Sequence, residues 1–391
     1  MFLAACGGGS SGGSPAPSTT DQPATINLYP NEASSAGVPR LTVMLTAVGS
    51  STVNMPLIFD TGSAGVALLA TGLFPSSILT SSGFVFPSGQ TSITYNGITV
   101  MDQQGTRAYG LQGVSEVALN GNIGYAQLSF GDAQGELTTA VMPVFLYYSI
   151  TDTTTNTTLA ATAYQQGLFG VAPSAGEIVL PSSVAPQGGY PACAQDTDST
   201  CFVVSPLKYL QYGPGLNAGF LLTPAALQSC DITTAGSCSG APMLKVGLTA
   251  ALESGFSATS LVCPESGVGP STIAGFLPCD KTIDDNTINI SGPVSAGIAG
   301  SIVFDTGTSR MIIAAPVAAL AVISLPAVLP EGSTVLIGTP SGFTYSYQST
   351  SSDPFYTSVY AGYTGPSIVG IGYLTTNSLY IDFSSSTEGW K

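Results

Sequence analysis

Two acidic residues, Asp60 and Asp305, occupy nearly the same words. The first lies in LIFDTGSAGVALL (57–69) and the second, 245 positions on, in SIVFDTGTSRMIIA (301–314). One Asp-Thr-Gly has an ordinary explanation, because Asp and Gly are turn residues and Thr is frequent in this chain. Two copies need another. Each follows an apolar run ending in Phe-Asp and precedes small hydroxyl residues and a second apolar run. A turn carboxylate normally sits in water, whereas these lie between segments that favour burial. A buried carboxylate must be hydrogen-bonded or keep its proton, which makes it a candidate for proton transfer.

The surrounding elements read as strands. The chain has 391 residues with 47 glycines, 27 prolines and only 7% charged residues, against about 25% in an average soluble protein. Few Glu, Lys and Arg leave little with which to build exposed helix faces. From Ile26 the chain runs in strand-sized pieces broken by turn residues: RLTVMLTAV, TVNMPLIFD, VALLA, ITYNGITVM, YAQLSFGD and MPVFLYYSI. After about 280 the pattern resumes with TINISG, STVLIG, FTYSYQ, SVYAGYT and SLYIDFS. Such spacing predicts an all-β chain of hairpins and antiparallel sheet. Residues 181–280, rich in cysteine and turns, read as a disulfide-pinned connection with few long strands.

Composition also excludes. With seven basic residues and a net charge of -15, the chain would repel a phosphate backbone, so nucleic acid is no partner. Histidine is absent, which removes Ser-His-Asp and Cys-His catalysis and every His-ligated metal site. No cofactor or metal is expected; the oxygen-rich DTDST (196–200) lacks the spaced ligands of a calcium loop. Six of the seven cysteines fall as Cys193/Cys201, Cys230/Cys238 and Cys263/Cys279. Six cysteines allow 15 pairings, and the short loops favour neighbours, hence local disulfides and an oxidising compartment.

The seventh cysteine, Cys6, sits in LAAC before a Gly/Ser/Pro tether (residues 7–25). This resembles the lipobox of bacterial lipoproteins, although no basic region and no apolar run precedes it; either the sequence starts inside a longer signal peptide, or Cys6 is an ordinary thiol in a disordered tail. The expectation is an exported, cell-envelope or secreted monomer, meeting a membrane only through a lipid on Cys6.

The Asp-Thr-Gly copies do not stand alone. Downstream of the first is QQGLFGVAPS, with Leu168-Phe169-Gly170; downstream of the second is PSIVGIGYL, with Ile368-Val369-Gly370, and then SLYIDFSSSTEGW, with Asp382 in an apolar run and Gly389 beside an aromatic. These landmarks, in this order, resemble the pepsin-like aspartic peptidases. The resemblance implies a bilobed all-β acid-protease fold, with a tether and signal remnant at 1–25, a first lobe at 26–222 and a second at 223–391. The site lies in the cleft between the lobes, and the apolar-apolar-Gly triplets lie beneath the catalytic loops.

It also implies roles. Asp60 and Asp305 would form a dyad sharing one proton, because two carboxylates about 3 Å apart cannot both ionise. Thr61 and Thr306 would cross-link the loops, Gly62 and Gly307 would let them turn tightly, and Ser63 and Thr308 would bond the outer carboxylate oxygens. The substrate would be a peptide or protein. The family's flap, a hairpin with a Tyr before Gly, has two alignments: Tyr109-Gly110 in RAYGLQG, or Val114 when counted back from GNIGYAQLSFGD. The Trp that usually holds that Tyr is not evident, and Arg107 could face the cleft or decorate the hairpin. An inactive pepsin-like binding protein is the alternative. A surface adhesion protein leaves the duplicated loops unexplained, and a glycosidase needs wider carboxylates.

Overall fold

The computed structural model describes residues 19–31, 39–111, 115–160, 167–180, 200–227, 230, 238–263, 278–315 and 327–391. Cys6, Val114, Cys193 and residues 1–18 of the expected tether lie outside them. Among the described residues the regular structure is almost all strand, with one four-residue α-helix, Ala250–Glu253, and the short 3-10 segments Pro206–Tyr209 and Ile371–Thr375. No helix there is long and apolar enough to cross a membrane.

In the first half, Arg40–Val48 pairs with Ser51–Asp60. Burial along Ser51–Asp60 alternates at first and then becomes continuous through Met55–Asp60, as expected of a strand that enters a region covered on both faces. Ala64–Leu69 is buried throughout. Asn96 and Gly97, with φ of 49° and 74°, form the tight turn between Ser92–Tyr95 and Ile98–Leu111; an Asn-Gly pair tolerates these two positive φ values at low cost. Ile98–Leu111 then returns as Ser115–Ala126, with Tyr109 opposite Val117 and Arg107 opposite Leu119.

The second half forms a seven-stranded sheet in the order Thr344–Gln348, Thr334–Gly338, Ile283–Ser291, Ala296–Phe304, Ser367–Val369, Met311–Ala315 and Thr357–Ala361. The alternating burial of Ile283–Ser291 marks a sheet with one wet face.

Between the halves runs a central antiparallel sheet. Ala24–Asn31 pairs with Ala241–Leu248, which pairs with Asn217–Leu222, and this in turn pairs with Leu379–Asp382. Leu379–Asp382 continues to Thr387–Trp390, and that strand to Ser257–Ser260. The far end of Ala24–Asn31 also bonds Arg40–Val48, so one strand ties the central sheet to the first half. Asp132 accepts hydrogen bonds from Tyr29 Oη at 2.5 Å and Asn27 Nδ2 at 2.9 Å and so fastens that strand.

The stretch 181–280 departs from expectation. It contributes three central-sheet strands, Asn217–Leu222, Ala241–Leu248 and Ser257–Ser260; their short apolar runs are hidden among turn residues. The neighbour pairing of cysteines holds for Cys230–Cys238 and Cys263–Cys279, which close loops beside these strands. Cys201 is also disulfide-bonded; Cys193 is outside the described residues.

Aromatic rings anchor both acidic loops from below. Phe59 stacks on Phe169 with centroids 6.2 Å apart and meets Phe220 edge-on at 5.9 Å. Phe304 packs against Tyr373 at 4.9 Å and Trp390 at 5.5 Å. These rings belong to one apolar core that spans both halves. Each contributes a few kcal/mol of burial, on the order of 1.5–3 for a Phe, and fixes the residue preceding each Asp.

Candidate active site

Asp60 ends one buried strand and Asp305 follows another, and the two loops meet face to face. Thr61 N donates to Thr306 Oγ1, and Thr306 N donates to Thr61 Oγ1, both at 3.0 Å. Each hydroxyl then donates across the interface: Thr61 Oγ1 to the Phe304 carbonyl and Thr306 Oγ1 to the Phe59 carbonyl, both at 2.7 Å. A hydroxyl suits each position because its one oxygen accepts and donates at once. These four bonds connect residues more than 240 positions apart and fix the separation of the two carboxylates.

Within each loop the carboxylate is held by its own turn. Gly62 N donates to Asp60 Oδ1 at 2.7 Å and Ser63 Oγ to Asp60 Oδ2 at 2.6 Å. Gly307 N and Thr308 Oγ1 do the same for Asp305, both at 2.7 Å. The glycines answer to close approach. A Cβ on Gly62 would lie 2.3 Å from Asp305 Cγ, and one on Gly307 would lie 2.6 Å from Asp60 Cγ. Each loop leaves room for the opposing carboxylate. Gly62→Ala must therefore push the acids apart. It is expected to cost about 1–3 kcal/mol of stability and to disrupt the pair, read as a lower Tm in thermal unfolding.

The apolar-apolar-Gly triplets pair alongside the strands that carry the two acids. Leu168, Phe169 and Gly170 run parallel to Ile58, Phe59 and Asp60 and antiparallel to the strand beyond the loop. Val303 and Phe304 run parallel to Ile368 and Val369, and Asp305 N donates to the Val369 carbonyl at 2.9 Å. A Cβ on Gly170 would meet the Ser63 carbonyl at 2.7 Å, and one on Gly370 the Arg310 carbonyl at 2.4 Å, so no larger residue fits beneath either loop.

The paired acids lie on the floor of a cleft of about 740 Å³ lined from both halves of the chain. Asp60 is buried, 6% exposed. Asp305 keeps a partly exposed edge, yet burial, the Asp60 charge and a hydrogen bond shared with Asp60 push its pKa up to about 7; Lys281 and the Thr308 hydroxyl oppose this. The shared proton therefore rests on Asp305 in mild acid.

The long hairpin supplies one wall. Tyr109 and Gly110 line the cleft; the competing Val114 lies outside the described residues. Arg107 is 3% exposed and also lines the cleft. Its guanidinium donates to the Ala64 and Gly65 carbonyls and stacks over the Tyr109 ring at 4.8 Å. With no Trp in that position, Arg107 holds the tyrosine and lies within electrostatic reach of Asp60. Glu177, Arg40 and Lys281 line the cleft as well; their sequence surroundings carry no motif, and only tertiary contact reveals them. Arg310, five residues past Asp305, was signalled solely by the rarity of basic residues.

No protein-family profile and no curated protein matches the sequence. Solved structures do. The aspartic proteinase from Irpex lacteus is 14% identical with a TM-score of 0.52, covering 94% of this chain and 97% of its own. The Basic 7S globulin from soybean is 11% identical with a TM-score of 0.51, covering 95% of this chain and 96% of its own. At such identities the likeness speaks to fold: the chain has the all-β, bilobed pepsin-like architecture.

Proposed function

We propose that this chain is an aspartic-type endopeptidase that cleaves a peptide or protein substrate with water activated by Asp60 and Asp305. The observation that carries the proposal is the reciprocal lock: two acids, each hydrogen-bonded by its own turn and facing the other across crossed Thr61–Thr306 bonds. With the proton on Asp305, Asp60 acts as general base on a water between them, and the water attacks the peptide carbonyl. Asp305 stabilises the developing oxyanion and hands its proton toward the leaving amine. No cofactor is required. The disulfides suit an oxidising compartment, and anchoring through Cys6 belongs to the same proposal.

The test is digestion of an unfolded protein from pH 3 to 8. Because Asp305 is raised to about 7, cleavage is expected in mild acid and should fade as pH climbs through about 7, where the pair loses its remaining proton. Absence of cleavage at every pH would favour the second reading, a pepsin-like binding protein, which draws support from the fold shared with a protein named as a globulin.

A further inference from the structure

The chain carries seven Lys and Arg against 22 Asp and Glu, and the seven are unevenly placed. Four of them, Arg40, Arg107, Lys281 and Arg310, line the cleft, where Glu177 is the only carboxylate besides the Asp pair among the described residues. The other three are committed elsewhere: Lys208 is buried over the Phe383 ring, Lys391 lies over Phe256, and Lys245 sits on a central-sheet strand.

Their partners matter as much as their number. Arg310 pairs with Asp353 at 3.1 Å, and this is the only ion pair among the described residues. Arg107 is held by neutral carbonyls and faces the Asp60 charge. Arg40 and Lys281 make no ion pair among the described residues, and Arg40 Nε is buried without a hydrogen-bond partner. Arg40 and Arg107 come from the first-half sheet, Lys281 and Arg310 from the second half, so uncancelled positive charge stands on both sides of the acids. In a protein of net charge -15, this is a positive slot in a negative body, and low-dielectric walls focus such a field.

We infer that the substrate is an acidic peptide, with Asp or Glu side chains flanking the scissile bond on both sides and seated against Arg40 and Lys281. This rests on the peptidase reading and deepens it. The same field turns away basic segments and draws acidic ones toward the dyad, so the selectivity should be sensitive to ionic strength.

The test compares two fluorogenic peptides that differ only by Glu or Gln at the positions flanking the cleaved bond, at about pH 5.5, where free Glu is ionised. The Glu peptide is expected to show kcat/KM about tenfold higher at low salt, narrowing severalfold at about 0.5 M salt. Lys281→Gln and, independently, Arg40→Gln should each reduce the Glu/Gln ratio; two variants guard against one failing to fold. Fluorescence anisotropy with Asp305→Asn provides a second arm, because Asp305 carries the proton and the substitution leaves the cleft charge unchanged. Equal kcat/KM for both peptides, or a ratio untouched by both variants, overturns the acidic-substrate inference and leaves the peptidase standing. No turnover of either peptide, with tighter anisotropy binding of the Glu peptide, instead removes the peptidase and keeps the ligand class; equal binding there removes both.

Discussion

Asp305→Asn is expected to abolish peptide cleavage, lowering kcat by about a thousandfold or more, while the protein folds as before. The amide keeps the shape of the carboxyl, so its carbonyl can still accept from Gly307 N, and the crossed Thr61–Thr306 bonds do not involve it. What is lost is the transferable proton. Asp305 holds that proton because burial and the Asp60 charge raise it to about 7, and an amide has none to give in this range. Asp60→Asn should be equally inactive for the opposite reason, since the base is gone and Arg107 faces no charge. Circular dichroism and thermal unfolding check the fold, and single-turnover cleavage of a peptide checks the chemistry. Retention of more than about a tenth of wild-type kcat by either variant would sink the dyad mechanism.

Stability is expected to fall as pH rises from about 4.5 to 8, and Glu388→Gln should remove much of that fall. Glu388 is 2% exposed, on the strand Thr387–Trp390 between Leu379–Asp382 and Ser257–Ser260. Burial raises its pKa to about 8, and the Trp390 indole offsets only part of this. A carboxyl whose folded pKa lies above its unfolded one binds its proton more tightly in the native state. It costs nothing below about pH 4.5, and the penalty grows with pH until about 8 is passed, reaching on the order of 3–5 kcal/mol. Asp305 adds a slope of the same sign up to about pH 7. Denaturant unfolding at pH 5 and pH 8 measures both: wild type should lose midpoint concentration between them, and the Gln variant should lose less. A Gln variant with the full wild-type loss would show that Glu388 is not the group responsible.

The site was legible where its residues are contiguous. Phe-Asp-Thr-Gly with flanking apolar runs specifies a buried strand, a turn and a second strand, and Leu168-Phe169-Gly170 and Ile368-Val369-Gly370 must pair beneath those turns because only glycine fits there. The flap was ambiguous because counting along a strand assumes regular pairing. The hairpin has register shifts at Asn120/Gly121 and between Asn122 and Gly124, so a count back from that segment drifts. The central-sheet strands 217–222, 241–248 and 257–260 were missed because each is short and sits among turn residues; long-range pairing makes them strands. Two of the cleft cations, Arg40 and Lys281, were invisible for the same reason: they have no local pattern, and the two halves bring them together.

The central sheet also imposes an order in time. Leu379–Asp382 and Thr387–Trp390 pair with each other, and both are synthesised after every other strand they pair with; Trp390 packs against the Phe304 that supports the second acidic loop. Pairings this distant in sequence close slowly. Through most of its synthesis the chain carries Asp60 and then Asp305 with the support beneath Asp305 unfinished. On the proposed peptidase reading, the growing chain is expected to stay inert and to gain activity only when residues 379–390 join the sheet, which would spare the machinery that makes and moves it.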